Sequence, residues 1–191
     1  MNATLLRAAD RVATPWKNGG GVTREVAAWP PGSGFDDFQW RVSMAEVRSD
    51  GPFSVFPDVD RILAVLEGRL ALAVAAFGEF DLTPAGPPAA FPGDAATTGR
   101  VLDGPVLDLN LMSRRGGVRA ALDRLQVGPP LTLAAVAGHR LVIATGGPLR
   151  VTAGAIAYDL ERYDALLLDA AATVEAQRPT TAHAATFTAR G

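Results

Sequence analysis

Residues Phe38–Val47 read FQWRVSMAEV. Phe38, Trp40, Val42 and Met44 alternate with Gln39, Arg41, Ser43 and Ala45, the period-two pattern of a half-buried strand. The same period recurs on both sides. Arg61–Val74, RILAVLEGRLALAV, reads as two strands joined by a turn at Glu67-Gly68. VLDLNLMS, residues 106–113, sets Leu107, Leu109 and Leu111 on one face and Asp108, Asn110 and Met112 on the other. Further on, RLVIATGG, LRVTAG, YDALLLD and ATVEAQ are short apolar runs separated by Gly, Pro or Asp. With 20 glycines and 14 prolines punctuating such runs, the pattern predicts an all-β barrel or sandwich.

One segment resists this reading. In GGVRAALDRLQV, residues 116–127, Val118, Ala121, Leu122 and Leu125 have helical spacing, yet the run is short and bounded by Gly and Pro. Periodicity alone leaves helix and strand open. Gly116-Gly117 and VGPP, residues 127–130, also bracket a natural junction. The chain is therefore divided into a first lobe, residues 1–116, and a second lobe, residues 117–191, with exchange of strands between the lobes left open. No strong internal repeat is visible. The nearest, a weak one, sets FPGD (91–94) against ERYDALLLD (161–169), each preceding a β-rich run.

Composition narrows the function classes. The 191 residues are 48% hydrophobic and 20% charged, with a net charge of −2, as in an ordinary folded domain. The 18 Lys and Arg form no basic stripe, which argues against nucleic acid as a partner. The absence of cysteine removes thiolate chemistry and disulfides, and fits a reducing compartment. Arg7, Asp10 and Arg11 interrupt any apolar leader, and the uncharged run Leu70–Gly78 falls far short of the roughly 18 residues a membrane span needs. A cytoplasmic location without membrane association is expected. The two histidines, His139 and His183, have no partner at motif spacing, so a His-rich metal site cannot be built.

PWKNGGGVTREV, Pro15–Val26, is the first candidate for binding chemistry. Three consecutive glycines carry a high entropic cost that something nearby must offset. Their spacing is neither a dinucleotide fingerprint nor a P-loop. Arg24 lies one strand step from Val22 and Val26, and Arg61 enters an apolar strand directly after Asp60. Arg41 shares a face with Ser43, and Asp108 shares one with Asn110. Guanidinium groups on apolar strands, beside Asn and Ser, suit an anionic small molecule held by charge-assisted hydrogen bonds. At about 1.5–3 kcal/mol each, two or three such bonds support micromolar binding. Each residue also has a bland reading: the arginines as solvated ends or ion-pair partners, Asp108 and Asn110 as strand-edge caps, the tryptophans as core. Asp36-Asp37 reads as turn chemistry, and Ser43 and Ser54 have no histidine to activate them.

PWKNGGGVTREV, WRVSMAEVRSDGPFSVFPDVDRILAVLEG and DLNLMSRR occur in this order, and together they resemble the HutD/Ves family of bacterial proteins associated with histidine utilisation. The likeness covers most of residues 14–116. It implies a bicupin, two jelly-roll-like β-barrel lobes in one compact chain, with 116–127 more strand than helix and the second lobe degenerate. The positions that match the motifs are Trp16, Asn18, Gly20, Thr23, Arg24, Glu25, Arg41, Ser43, Asp60, Arg61, Asp108, Asn110 and Met112. Laying the generic cupin metal pattern over the chain puts Pro57, Val59, Leu63 and Ala96 near the ligand slots, and none of them binds a metal. No metal or cofactor is therefore expected. The glycines would let the chain pass close to the mouth of the first lobe, carrying Asn18 and Arg24 to a ligand with Trp16 packed beneath.

The favoured function is a metal-free protein that regulates histidine utilisation by binding a small carboxylate such as N-formylglutamate or urocanate. Two others stay open: a metal-independent, isomerase-like enzyme using Glu25, Asp108 and Arg41, and a structural or partner-binding protein. The second lobe is poor in convergent polar groups and is expected to hold no site, though its apolar sheet offers a face to a second copy of the chain.

Overall fold

The computed structural model describes residues 2–190. Its strands are β1 (Ala3–Leu6), β2 (Ala13–Pro15), β3 (Gly21–Trp29), β4 (Trp40–Val47), β5 (Gly51–Pro52) and β6 (Val59–Glu67). These are followed by β7 (Leu70–Val74), β8 (Gly78–Leu82), β9 (Ala89–Pro92), β10 (Thr97–Val101), β11 (Val106–Arg114) and β12 (Val118–Val127). The last are β13 (Leu131–Leu133), β14 (Gly138–Ile143), β15 (Leu149–Ala153), β16 (Ile156–Leu160), β17 (Ala165–Leu168), β18 (Ala172–Glu175) and β19 (Thr180–Ala189). The helical content among the described residues is one 3₁₀ turn, Ala8–Asp10. None of the described helical segments is long and apolar enough to cross a membrane.

The fold is a bicupin of two compact units. The first, residues 12–118, pairs a six-stranded sheet of order β2-β3-β4-β11-β6-β9 with a four-stranded sheet of order β5-β10-β7-β8. Leu63, Val65, Phe91 and Val106 from the larger sheet meet Leu70, Leu72, Val74 and Leu82 from the smaller in one core. Each such apolar side chain contributes roughly 1.5–3 kcal/mol by leaving water. The turn at Glu67-Gly68 passes the chain from one sheet to the other, so β6 and β7 are not a hairpin.

The second unit, residues 2–11 with 119–190, stacks the sheet β1-β17-β14-β19-β12 on the sheet β13-β18-β15-β16 around Val142, Leu166, Leu168, Leu149, Val151 and Val174. The division lies two residues beyond the 116/117 boundary expected from sequence. The larger correction concerns residues 2–11, which the sequence reading placed in the first lobe. Strand β1 pairs with β17 in register Ala3↔Leu168 to Leu6↔Ala165, and Ala3 and Leu5 pack on the second core. Asp164 fixes the following turn, accepting from the Ala8 backbone N–H and from Arg7 Nη1, each at 2.7 Å.

Two other expectations resolve here. Residues 118–127 form a strand, and the half-buried character predicted for β4 is wrong. Trp40, Val42 and Met44 are buried on one face, but so are Arg41, Ser43 and Ala45 on the other. The polar face is covered because it lines the interior of the first unit.

Candidate ligand site

Register sets which side chains converge. In the six-stranded sheet Met112 lies opposite Arg41 and Arg61, Asn110 opposite Ser43 and Leu63, and Asp108 opposite Ala45 and Val65. Paired residues project to the same face. That face also carries Val47, Val65 and Val106, which belong to the first unit's core, so Arg41, Ser43, Arg61, Asp108, Asn110 and Met112 all point inward. Strand β3 adds Glu25 opposite Ser43 and Thr23 opposite Ala45.

Arg61 is the centre of the cluster. It is only 5% exposed. Its Nε and Nη2 donate to Asn110 Oδ1 at 3.2 and 3.1 Å, and its Nη1 donates to the Ser54 carbonyl at 3.4 Å. The guanidinium carbon lies 5.4, 5.7 and 5.2 Å from the ring centroids of Phe53, Phe56 and Phe91. Such contacts favour a desolvated cation. Burial pushes the guanidinium down to about 10, against the pull of nearby Asp108, so it stays charged at neutral pH.

Arg41, also buried, donates from Nε to Glu25 Oε2 at 2.7 Å and lies 4.7 Å below the Phe35 ring centroid. Phe35 stacks on Phe56 at 5.7 Å and 23° between planes, forming a partly exposed aromatic roof over this corner of the cup. Arg114 anchors the loop that carries it, donating to the carbonyls of Phe35 (3.0 Å), Asp36 (2.7 Å) and Phe38 (3.2 Å).

Asp108 is the most perturbed carboxyl. Burial pushes it up to about 7, with Arg61 and the nearby Ala45 backbone favouring the charged form. Neither carboxyl oxygen has a hydrogen-bond partner of normal geometry.

The PWKNGGGV segment is built differently from the expectation. Its backbone closes a tight turn, with Trp16 N–H donating to the Gly21 carbonyl (2.9 Å) and Gly19 N–H to that of Trp16 (3.0 Å). Gly19 has φ +72°, and a Cβ on Gly21 would stand 2.5 Å from the Glu46 carbonyl oxygen and 3.0 Å from the Trp16 ring. The glycines therefore satisfy a turn and a close approach to β4. Asn18 Oδ1 accepts the Gly20 N–H at 3.0 Å, capping its own turn. Trp16 donates its indole N–H to Thr23 Oγ1 at 2.8 Å and packs edge-on to Phe53, which places it at the margin of the core.

Arg24 pairs with Met44 in register, on the sheet face opposite Arg41, so it is removed from the cluster. Asp60 also faces away, holding Arg115 at 2.8 Å. The structure thus brings together Glu25, Arg41, Ser43, Arg61, Asp108, Asn110 and Met112, leaves Trp16 and Thr23 at the edge, and takes Asn18 and Arg24 away. The sequence reading missed Phe35, Phe53, Phe56 and Phe91. The aromatics of GPFSVFPD beside Arg61 were the available signal.

A cupin metal would need donors the cup lacks. Strand β6 presents Val59, Arg61, Leu63 and Val65 inward, and among the described residues no three His, Asp or Glu gather as a metal-ligating group. Cations stand where a metal site needs anionic or imidazole donors, so the residues do not fit one. A cavity of about 1270 Å³ opens in the second unit, where Arg150 and Asp159 pair at 2.7 Å. Both are well exposed, so this volume lacks the desolvated polar groups that mark the first cup.

Fold and site together define a cupin-fold protein whose cup is lined by arginine, amide and carboxyl groups. The family model HutD matches residues 8–186, and the chain belongs to the HutD family. It is 35% identical over 106 residues to Protein Ves of Citrobacter koseri, covering 55% of this chain and 54% of the relative. It is 39% identical over 119 residues to an uncharacterized 21.2 kDa protein in the hutC 3′ region of Pseudomonas putida, covering 62% of each. The chain thus spans less than two thirds of the length of these curated relatives. A conserved protein of unknown function from Pseudomonas aeruginosa PAO1 superposes with TM-score 0.91 at 31% identity, over 98% of this chain and 100% of that one. HutD from Pseudomonas fluorescens SBW25 superposes with TM-score 0.83 at 28% identity, over 100% of both chains. The family is associated with the histidine-utilisation locus.

Proposed function

We propose that this chain is a metal-free binding protein that takes a small carboxylate into the first cup and, through that binding, regulates histidine utilisation. The observation that carries the reading is the inward pair Arg41 and Arg61, both desolvated and framed by Asn110, Ser43 and aromatic rings. Arg61 hydrogen-bonds only to neutral acceptors, Asn110 Oδ1 and the Ser54 carbonyl, and nearby Asp108 is pushed toward its neutral form by burial, so a bound anion would meet most of its charge. Family membership directs the choice of ligand to histidine breakdown, with N-formylglutamate and urocanate as the first molecules to try. A thermal-shift panel of pathway carboxylates tests this. At least one should raise the melting temperature of the wild-type chain, and Arg61→Met should lose that rise. No rise with any pathway carboxylate would defeat the reading.

A second reading has one observation in its favour. Asp108 titrates near neutrality, as a general base should. Turnover of the stabilising carboxylate, followed by NMR, would select a metal-independent isomerase-like enzyme over a binding protein.

A further inference from the structure

The cup holds a polar group that the carboxylate reading does not use. Asp108 is 1% exposed, and although the nearby Ala45 backbone favours its charged form, neither of its oxygens has a hydrogen-bond partner of normal geometry. Around it on the inward face of the sheet stand Ala45, Val47, Val65 and Val106, which carry no side-chain donor, and Asn110 and Ser43, neither of which hydrogen-bonds to it. The opposing sheet brings Leu70, Leu72, Val74 and Leu82. Arg61 is close enough to feel the charge of Asp108, yet its Nε and Nη2 are directed to Asn110 and its Nη1 to the Ser54 carbonyl. Arg41 is occupied by Glu25. The protein therefore gives Arg61 an acceptor and leaves Asp108 without a side-chain donor or any hydrogen bond of normal geometry. Buried carboxyl oxygens are almost always hydrogen-bonded, and one left bare is costly. Asn110, two residues along the same strand face, places Asp108 next to the arginine cluster.

We infer that the molecule taken by the first cup carries an N–H or O–H donor that reaches Asp108, as well as the carboxylate that meets Arg41 and Arg61. The inference rests on the carboxylate reading and sharpens it. The ligand class is then a carboxylate that also bears a hydroxyl, amine, amide or ring N–H, and not a plain alkanoic acid. Selection of this kind is strong because a ligand without the donor leaves the carboxyl bare in the complex as well.

Matched probes separate the two claims. N-acetylglycine and levulinate differ by N–H against CH₂, and lactate and isobutyrate by O–H against CH₃. Calorimetric titration of the full chain should give at least ten-fold tighter binding for the donor-bearing member of one pair. Asp108→Leu should reduce that ratio to below three-fold while still binding both members through the arginines. Asp108→Ala, which removes both oxygens without adding bulk, should also lower the ratio and serves if the leucine variant fails to fold. Equal affinities within each pair for the wild-type chain would overturn the inference and leave the carboxylate site standing. An unchanged ratio in the variants would overturn it as well, because the donor would then be met elsewhere. No binding of any probe would count against the carboxylate site itself and remove the inference with it.

Discussion

Asp108 makes the first unit's stability depend on pH in an unusual direction. In the folded chain its carboxyl is raised from the ordinary 3.8 to about 7. Between those values the folded state holds a proton that the unfolded chain has released, so stability falls as pH rises through that window. Asp108→Asn should become more stable relative to wild type from pH 4 to pH 8, by up to about 4 kcal/mol. His183 is pressed down to about 4 by burial and gives the opposite slope between that value and 6.5. It is present in both proteins and lies in the second unit, whereas Trp16, Trp29 and Trp40 all lie in the first. Tryptophan-detected denaturation of the two proteins therefore isolates Asp108, and parallel stability curves would refute the assignment. At this scale much of the site was legible: alternation alone put Arg41 with Ser43 and Asp108 with Asn110. It failed for Arg24, because a residue's neighbours in sequence do not say which sheet face is the inside. It also failed to see that a polar strand face can be buried when that face is the wall of a cup.

The loop between β3 and β4 depends on β11. Arg114, at the end of that strand, donates to three of the loop's carbonyls and to the Pro57 carbonyl at 3.3 Å, with its guanidinium 4.8 Å from the Phe38 ring centroid. Arg114→Ala should cost the first unit about 2 kcal/mol, a discounted sum because the contacts are partly solvated. Amide exchange in residues 31–39 should accelerate more than in β6. Uniform protection would show that the loop holds itself. None of this was readable from DLNLMSRR, since an arginine aimed at backbone carbonyls leaves no complementary charge in the sequence. Strand β12 was undecided for a related reason. Its Val118, Ala120 and Leu122 are the more buried residues of its first half and Leu125 and Val127 of its second, so the buried positions change parity along the strand and imitate a helical stripe, and only pairing with β19 decides between them.

Over the whole molecule one strand arrangement occurs twice. In the first unit the order is β4-β11-β6-β9 with β5-β10-β7-β8, and in the second β12-β19-β14-β17 with β13-β18-β15-β16. The weak likeness of FPGD to ERYDALLLD does not mark this repeat, because FPGD runs off the end of β9 whereas ERYD precedes β17. The cups differ in chemistry. Where β11 directs Asp108, Asn110 and Met112 inward, β19 directs Ala182, Ala184 and Thr186. The position of β1 was beyond the sequence, because four residues at one end of the chain do not name their partner.

Calorimetric titration of wild type and Arg61→Met with the carboxylate that most stabilises the chain is the decisive measurement. Loss of that guanidinium should weaken binding at least ten-fold while circular dichroism stays unchanged, and Arg24→Met should bind as wild type does. Equal affinity in wild type and Arg61→Met would contradict a carboxylate site built on the inward arginines of the first unit.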